Sequence, residues 1–98
     1  MIYYVDIDNT ICLTENSDYD NSSPLYDRIR AINNLYDQGH TIVYWTARGS
    51  KSNRDWSELT KNQLDFWGCR RHNILFNKPH YDLYIDDKSI NSESFFNE

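Results

Sequence analysis

Four short apolar runs alternating with two segments of helical periodicity predict an α/β fold on a parallel sheet, because parallel neighbours need a long connection of the kind a helix supplies. Three observations carry this expectation. The runs are rich in β-branched and aromatic residues, the segments between them repeat apolar residues every three or four positions, and polar chemistry gathers just past the ends of the runs. The chain of 98 residues has the size of one compact domain, so 1–98 is expected to be a single unit.

Ile2-Tyr3-Tyr4-Val5 reads as the first strand and ends at Asp6 and Asp8, with Asn9-Thr10 following. Residues 11–23 are polar and rich in Asn, Asp and Ser without a sustained period, as expected of a surface flap. Ser23-Pro24 signals a helix start, after which Leu25, Ile29, Ile32 and Leu35 or Tyr36 recur at helical spacing until Gly39 supplies a stop. Thr41-Ile42-Val43-Tyr44-Trp45 is the second strand and runs into Thr46-Ala47-Arg48-Gly49-Ser50. Trp56, Leu59, Gln63, Leu64 and Trp67 mark one face of a second helix, capped near Asn53 and closed by Gly68. Asn73–Phe76 forms a short third strand, Asn77-Lys78-Pro79 a turn, and Asp82–Ile85 a fourth strand that delivers Asp86-Asp87. A short helix is expected in the tail from Lys88 to Glu98.

Composition narrows the partners. Ten Lys and Arg stand against 15 Asp and Glu, a net charge of −5 that argues against a general nucleic-acid or membrane-surface binder. No apolar stretch approaches the roughly 20 residues needed to cross a bilayer, and the N-terminus has no signal-peptide pattern, so a soluble cytoplasmic protein is expected. Three Trp, eight Tyr and four Phe must supply much of the core, at about 150–250 Å² each. Cys12 and Cys69 lack ligand spacing and read as free, reduced thiols.

In open parallel sheets ligands bind beyond the carboxyl ends of the strands, so Asp6/Asp8, Thr46/Arg48 and Asp86/Asp87 should meet along one edge. Asp6 and Asp8 project to one face of an extended chain, about 6–7 Å apart. Carboxylates gathered in this way repel unless protonated or neutralised by a cation, and hard oxygen donors point to Mg²⁺. Taken singly, each of these signals has a bland reading. Asp-Xaa-Asp is most often a solvated turn, Thr46 a strand-end hydroxyl and Lys78 a turn lysine. The basic stretch of Arg48, Lys51 and Arg54 is more often a solvated loop. His80 reads as a surface residue, His40 and His72 as flanking strands, and Trp45 and Trp56 as packing residues.

The order of the set is more specific than its members. Asp6-Ile7-Asp8-Asn9-Thr10, then Thr46 past a strand, then Lys78, then Asp86-Asp87 past another, resembles the four motifs of the haloacid dehalogenase superfamily of phosphohydrolases over residues 2–88. The resemblance implies a three-layer, Rossmann-like parallel sheet without a cap domain, since the intervals between motifs hold only the flap, single helices and a short strand. It implies Asp6 as the nucleophile that forms an aspartyl-phosphate, and Asp8 as general acid and then base. Thr46 and the amides of Ala47 and Arg48 would bind the phosphoryl oxygens, with Lys78 holding their charge. Mg²⁺ would be held by Asp6, by Asp8 through its main-chain carbonyl, and by Asp86 and Asp87. The family usually carries Gly where this chain has Asn9, a residue that tolerates left-handed backbone better than most.

The expected activity is a Mg²⁺-dependent phosphatase acting on a phosphate monoester, with a sugar phosphate or similar metabolite leading. A nucleic-acid 3′-end phosphatase and a non-catalytic phosphoacceptor or metal-binding regulatory module are the alternatives. An open, capless site also suits a homo-oligomer in which another subunit supplies the lid.

Overall fold

The structure, a computed structural model, describes residues 1–50 and 54–97. Three parallel strands form the main sheet in the order β1 (Ile2–Val5), β4 (Thr41–Trp45), β5 (Asn73–Leu75). α1 (Tyr26–Asp37) carries the chain from β1 to β4, and α2 (Ser57–Phe66) carries it from β4 to β5. The register sets Ile2 beside Thr41 and Val5 beside Tyr44, so Asp6 and Thr46 leave the same end of the sheet.

Alternation along the strands decides which side chains are buried. Tyr3 and Val5 of β1 and Ile42 and Tyr44 of β4 share one face and pack with Ile29 and Ile32 of α1, Leu64 of α2 and Trp67. Both helices therefore cover the same face, and the expected third layer is absent among the described residues. Two right-handed crossovers that step the same way across a sheet put both helices on one side. The opposite face carries Ile2, Tyr4 and Trp45, with the Tyr4 and Trp45 rings edge to face at 5.9 Å.

The fourth strand is a further correction. Residues 82–85 belong to no strand, with Leu83 and Ile85 76% and 89% exposed. The backbone just before them is tied down: the Lys78 N–H donates to the Thr46 carbonyl at 3.1 Å, and the Ser50 hydroxyl donates to the Lys78 carbonyl at 2.8 Å.

The flap is more ordered than its composition suggests. β2 (Cys12–Leu13) pairs antiparallel with β3 (Ser23–Pro24), a single 3₁₀ turn spans Tyr19–Asn21, and Ile11 and Cys12 are fully buried. Two apolar side chains inserted into the core anchor an otherwise polar segment. Ser23-Pro24, expected to open the helix, instead forms β3, and α1 begins two residues later. The cap expected at Asn53 lies outside the described residues. Asp55 serves the start of α2, its Oδ1 accepting the Ser57 N–H at 2.9 Å and the Ser57 hydroxyl at 2.6 Å. α3 (Ser92–Phe96) closes the tail, with the Asn91 side chain accepting from the Glu93 N–H. Cys12 and Cys69 are both free and buried. No helix among the described residues is long and apolar enough to cross a membrane.

Candidate active site

The chain turns sharply after β1. The Ile7 carbonyl accepts from the N–H groups of Thr10 and Ile11 at 3.1 and 3.0 Å, and Asn9 adopts a left-handed φ of 61°. Asn at this position meets the backbone demand that usually selects glycine. The turn brings the Thr10 hydroxyl back to donate to Asp6 Oδ2 at 3.1 Å, while Lys78 Nζ stands 3.5 Å from Asp6 Oδ1. Burial pushes the Asp6 carboxyl above its ordinary value. Lys78, the Ile7 amide and the Thr10 hydroxyl pull the other way, and the nearby Asp8 charge adds to the rise.

Asp8 has a different environment. Arg48 clamps both of its oxygens, Nε to Oδ2 at 3.0 Å and Nη2 to Oδ1 at 2.8 Å, and the Thr14 hydroxyl donates to Oδ1 at 2.6 Å. The Arg48 side chain is fully buried, whereas that of Asp8 is 21% exposed. Its Nη1 also donates to Thr60 Oγ1 at 3.1 Å and Gln63 Oε1 at 2.6 Å, and its guanidinium lies 4.7 Å from the Tyr19 ring centre. A planar fork with five N–H donors is the side chain that can satisfy all of these acceptors together.

Of the residues expected to bind phosphoryl oxygens, Ala47, Arg48 and Lys78 line a cleft of about 370 Å³ together with Asp6, Asp8 and His80. Thr46 is buried beneath it, and its hydroxyl accepts the Arg48 N–H at 3.1 Å, so that amide points inward. Lys78 crosses the cleft between aromatic rings, 5.6 Å from the centre of Trp45 and 5.5 Å from that of Tyr81. Asp86 and Asp87 are exposed, follow the unpaired segment, and stand outside the cleft lining. The structure thus brings together Asp6, Asp8, Ala47, Arg48 and Lys78 around the end of β1 and leaves the second acidic pair apart. Lys51 of the basic stretch lies outside the described residues. His40 and His72 each flank a strand as expected, His40 before β4 and His72 before β5: His40 Nδ1 lies 3.0 Å from the N-terminal amine and His72 Nδ1 accepts the Ile42 N–H at 3.1 Å.

Among the described residues no group of three or more His, Cys, Asp or Glu is arranged to hold a metal ion. The donor chemistry of the cleft is nevertheless hard oxygen, and Mg²⁺ accepts one or two carboxylates when water and a phosphate supply the rest. Both Asp8 oxygens are committed to Arg48, so Asp6 is the carboxylate with capacity to spare, and it fits that minimal requirement.

The sequence reading missed the Arg48 side chain as the partner of Asp8, and with it Thr14, Thr60 and Gln63. No local signal separates a buried arginine from a loop cation. Thr10, four residues after Asp6, was legible only as part of the motif.

No family model matches the chain, and no curated protein matches it. Among solved structures, the crystal structure of an MCSG target from Vibrio cholerae is similar, with a TM-score of 0.86 and 28% identity over 99% of this chain and 88% of that one. The likeness spans the three-stranded parallel sheet and the helices packed on it, and it supports a small α/β architecture compatible with a Rossmann-like fold.

Proposed function

We propose that this chain is a capless phosphohydrolase of the haloacid dehalogenase type, acting on a phosphate monoester through an aspartyl-phosphate on Asp6. The observation that carries the reading is the Asp6 carboxylate itself. It stands in an open cleft past the end of a parallel strand, one oxygen fixed by Thr10 and the other facing Lys78 at 3.5 Å. A carboxylate oriented in this way can attack phosphorus in line, and the Lys78 ammonium lies where it neutralises a phosphoryl oxygen. Ala47 lines the same cleft. Asp6 and the Asp8 carbonyl are the groups at the cleft that would hold Mg²⁺ with water and the phosphate; Asp86 and Asp87 would join them only if their segment moved to the cleft. The ion, when bound, screens the charge between carboxylate and phosphate. A sugar phosphate or similar small metabolite remains the leading substrate class, because the net charge of −5 disfavours a polyanion.

One observation favours a second reading. Asp8 is the general acid in the first, yet both of its oxygens are held by Arg48. A proton delivered by Asp8 requires one of those bonds to open. A chain in which the clamp stays closed would accept a phosphoryl group on Asp6 and keep it, as a phosphoacceptor module does.

The test is a screen of sugar phosphates, nucleotides and 3′-phosphorylated oligonucleotides with Mg²⁺, beside Asp6→Asn. The phosphatase reading expects many phosphates released per chain by the unaltered protein and none by the variant. Release of one leaving group per chain with no free phosphate, the phosphoryl group staying on Asp6, selects the phosphoacceptor, and equal phosphate release by both proteins removes Asp6 from the chemistry.

A further inference from the structure

Two aromatic rings flank the Asp6 cleft without taking part in the chemistry of its carboxylates. Tyr19 comes from the flap and Tyr81 from the segment that follows Lys78, and both line the cleft. The Tyr19 ring centre lies 4.7 Å from the Arg48 guanidinium that holds Asp8, and the Tyr81 ring centre lies 5.5 Å from Lys78 Nζ, which faces Asp6. One ring therefore stands on the Asp8 side and the other on the Asp6 side. In-line attack by Asp6 puts the leaving oxygen on the far side of phosphorus, toward solvent, so the alcohol it carries meets the partly exposed residues of the lining.

Tyr19 is fixed before anything binds. Gln63 Nε2 donates to its carbonyl at 2.6 Å, the Ser22 N–H donates to the same oxygen at 3.3 Å, and the Trp56 ring packs against its ring in a T-shaped pair at 5.0 Å. The turn just before it is strained. Asn16 and Ser17 take left-handed φ of 52° and 59°, a conformation that costs a serine more than an asparagine. Strain of this kind persists where surrounding contacts impose it, and it clusters at ligand clamps. Here it places Ser17 in the cleft lining, two residues ahead of Tyr19. Tyr81 is braced by the Tyr84 ring at 5.4 Å. Rings held in place offer contact area to a ligand at little further cost in entropy.

Polar groups share the lining with the rings: the Ser17 hydroxyl, the His80 imidazole and the Asn9 amide. The Asn9 oxygen accepts the Thr14 N–H at 3.2 Å, and its NH₂ has no partner among the described residues. Flat apolar faces beside hydroxyl-binding groups match a sugar ring, whose C–H face packs on an aromatic ring while its hydroxyls take the hydrogen bonds. A flexible acyclic alcohol would use the polar groups and leave the rings idle.

We infer that Tyr19 and Tyr81 are specificity-determining residues, which hold the leaving group of a sugar phosphate whose ring carbon bears the phosphate, with Ser17, His80 and Asn9 binding its hydroxyls. The assignment deepens the phosphatase reading and rests on it for the position of the phosphoryl group.

The test compares kcat/KM with Mg²⁺ on pyranose 1-phosphates (glucose, galactose and mannose) and on glycerol 1-phosphate. The unaltered protein is expected to favour at least one pyranose by about tenfold or more. Tyr19→Leu and Tyr81→Leu should each cut that ratio about tenfold, chiefly through KM, while Tyr19→Phe and Tyr81→Phe retain it, because the rings carry the preference. A ratio unmoved by both leucine variants overturns the proposal. Tyr81 is 42% exposed, so its variants remain informative if Tyr19→Leu fails to fold. Equilibrium dialysis of the same esters against Asp6→Asn, with and without Tyr81→Leu, separates the two readings. Pyranose binding that weakens with Tyr81→Leu, beside an unaltered protein that releases no phosphate, refutes the phosphatase and leaves the sugar subsite standing. Turnover without a pyranose preference keeps the phosphatase and removes the subsite, and neither turnover nor selective binding removes both.

Discussion

Replacing Arg48 by Ala probes the most heavily bonded polar group near the cleft. The deleted guanidinium is fully buried and bonds both oxygens of Asp8, Thr60 Oγ1 and Gln63 Oε1. Removing one member of a buried ion pair costs about 3–5 kcal/mol, because the other charge is left desolvated without its partner. Asp8 retains 21% exposure and can recover water, which places the expected loss near the lower end, about 3 kcal/mol. In a domain of this size each kcal/mol moves Tm by about 4–8 °C, so the melting transition followed by circular dichroism should fall by roughly 12–24 °C. Arg48→Lys should lie between the two, since one ammonium cannot serve Asp8, Thr60 and Gln63 together. Adding Asp8→Asn to Arg48→Ala removes the stranded charge, and the double-mutant cycle should show a coupling of about 1–3 kcal/mol. An Arg48→Ala protein within about 1 kcal/mol of the unaltered one, or a strictly additive cycle, would refute the reasoning.

Other consequences follow from single contacts. Burial raises the Asp6 carboxyl, so the fold favours its protonated form; that contribution is complete below the ordinary carboxylate value and is lost as pH rises through the elevated one. Asp6→Asn should therefore melt higher than the unaltered protein in EDTA at pH 7, with the gap closing on acidification; a lower Tm at pH 7 would contradict this. The Tyr44 hydroxyl is buried with the Cys69 thiol as its one weak partner among the described residues, so Tyr44→Phe should change stability by no more than about 1 kcal/mol in urea denaturation, and a larger loss would show a stronger bond than a thiol makes. Gly49 has φ +85°, and a Cβ there would lie 2.6 Å from the Arg54 carbonyl oxygen, so Gly49→Ala should lower Tm and disturb the cleft rim; an unchanged melt would show that the loop relaxes freely.

The scaffold was readable where the hydrophobic period was strong. Ile2–Val5 and Thr41–Trp45 are unbroken apolar runs, and Ile29 and Ile32 fix the buried face of α1. Asn9 was also legible, because the turn after Asp8 demands a residue tolerant of positive φ. Other parts follow from contacts distant in sequence. Whether Asp82–Ile85 pairs with a strand depends on contacts distant in sequence, which periodicity does not encode. The side on which a helix packs depends on strand order, so the single helical layer could not be read from the pattern of α1 and α2. Arg48 looked like one of several loop cations, and only its seat between Asp8 and α2 distinguishes it.

Reducing the protein with borohydride during incubation with substrate and Mg²⁺, then mapping the peptides by mass, interrogates the chemistry at its source. An acyl phosphate on Asp6 is reduced to an alcohol, and the account predicts homoserine at position 6 and at no other carboxylate. Substrate turnover with position 6 left as unmodified aspartate, or with the reduced residue elsewhere, would contradict it.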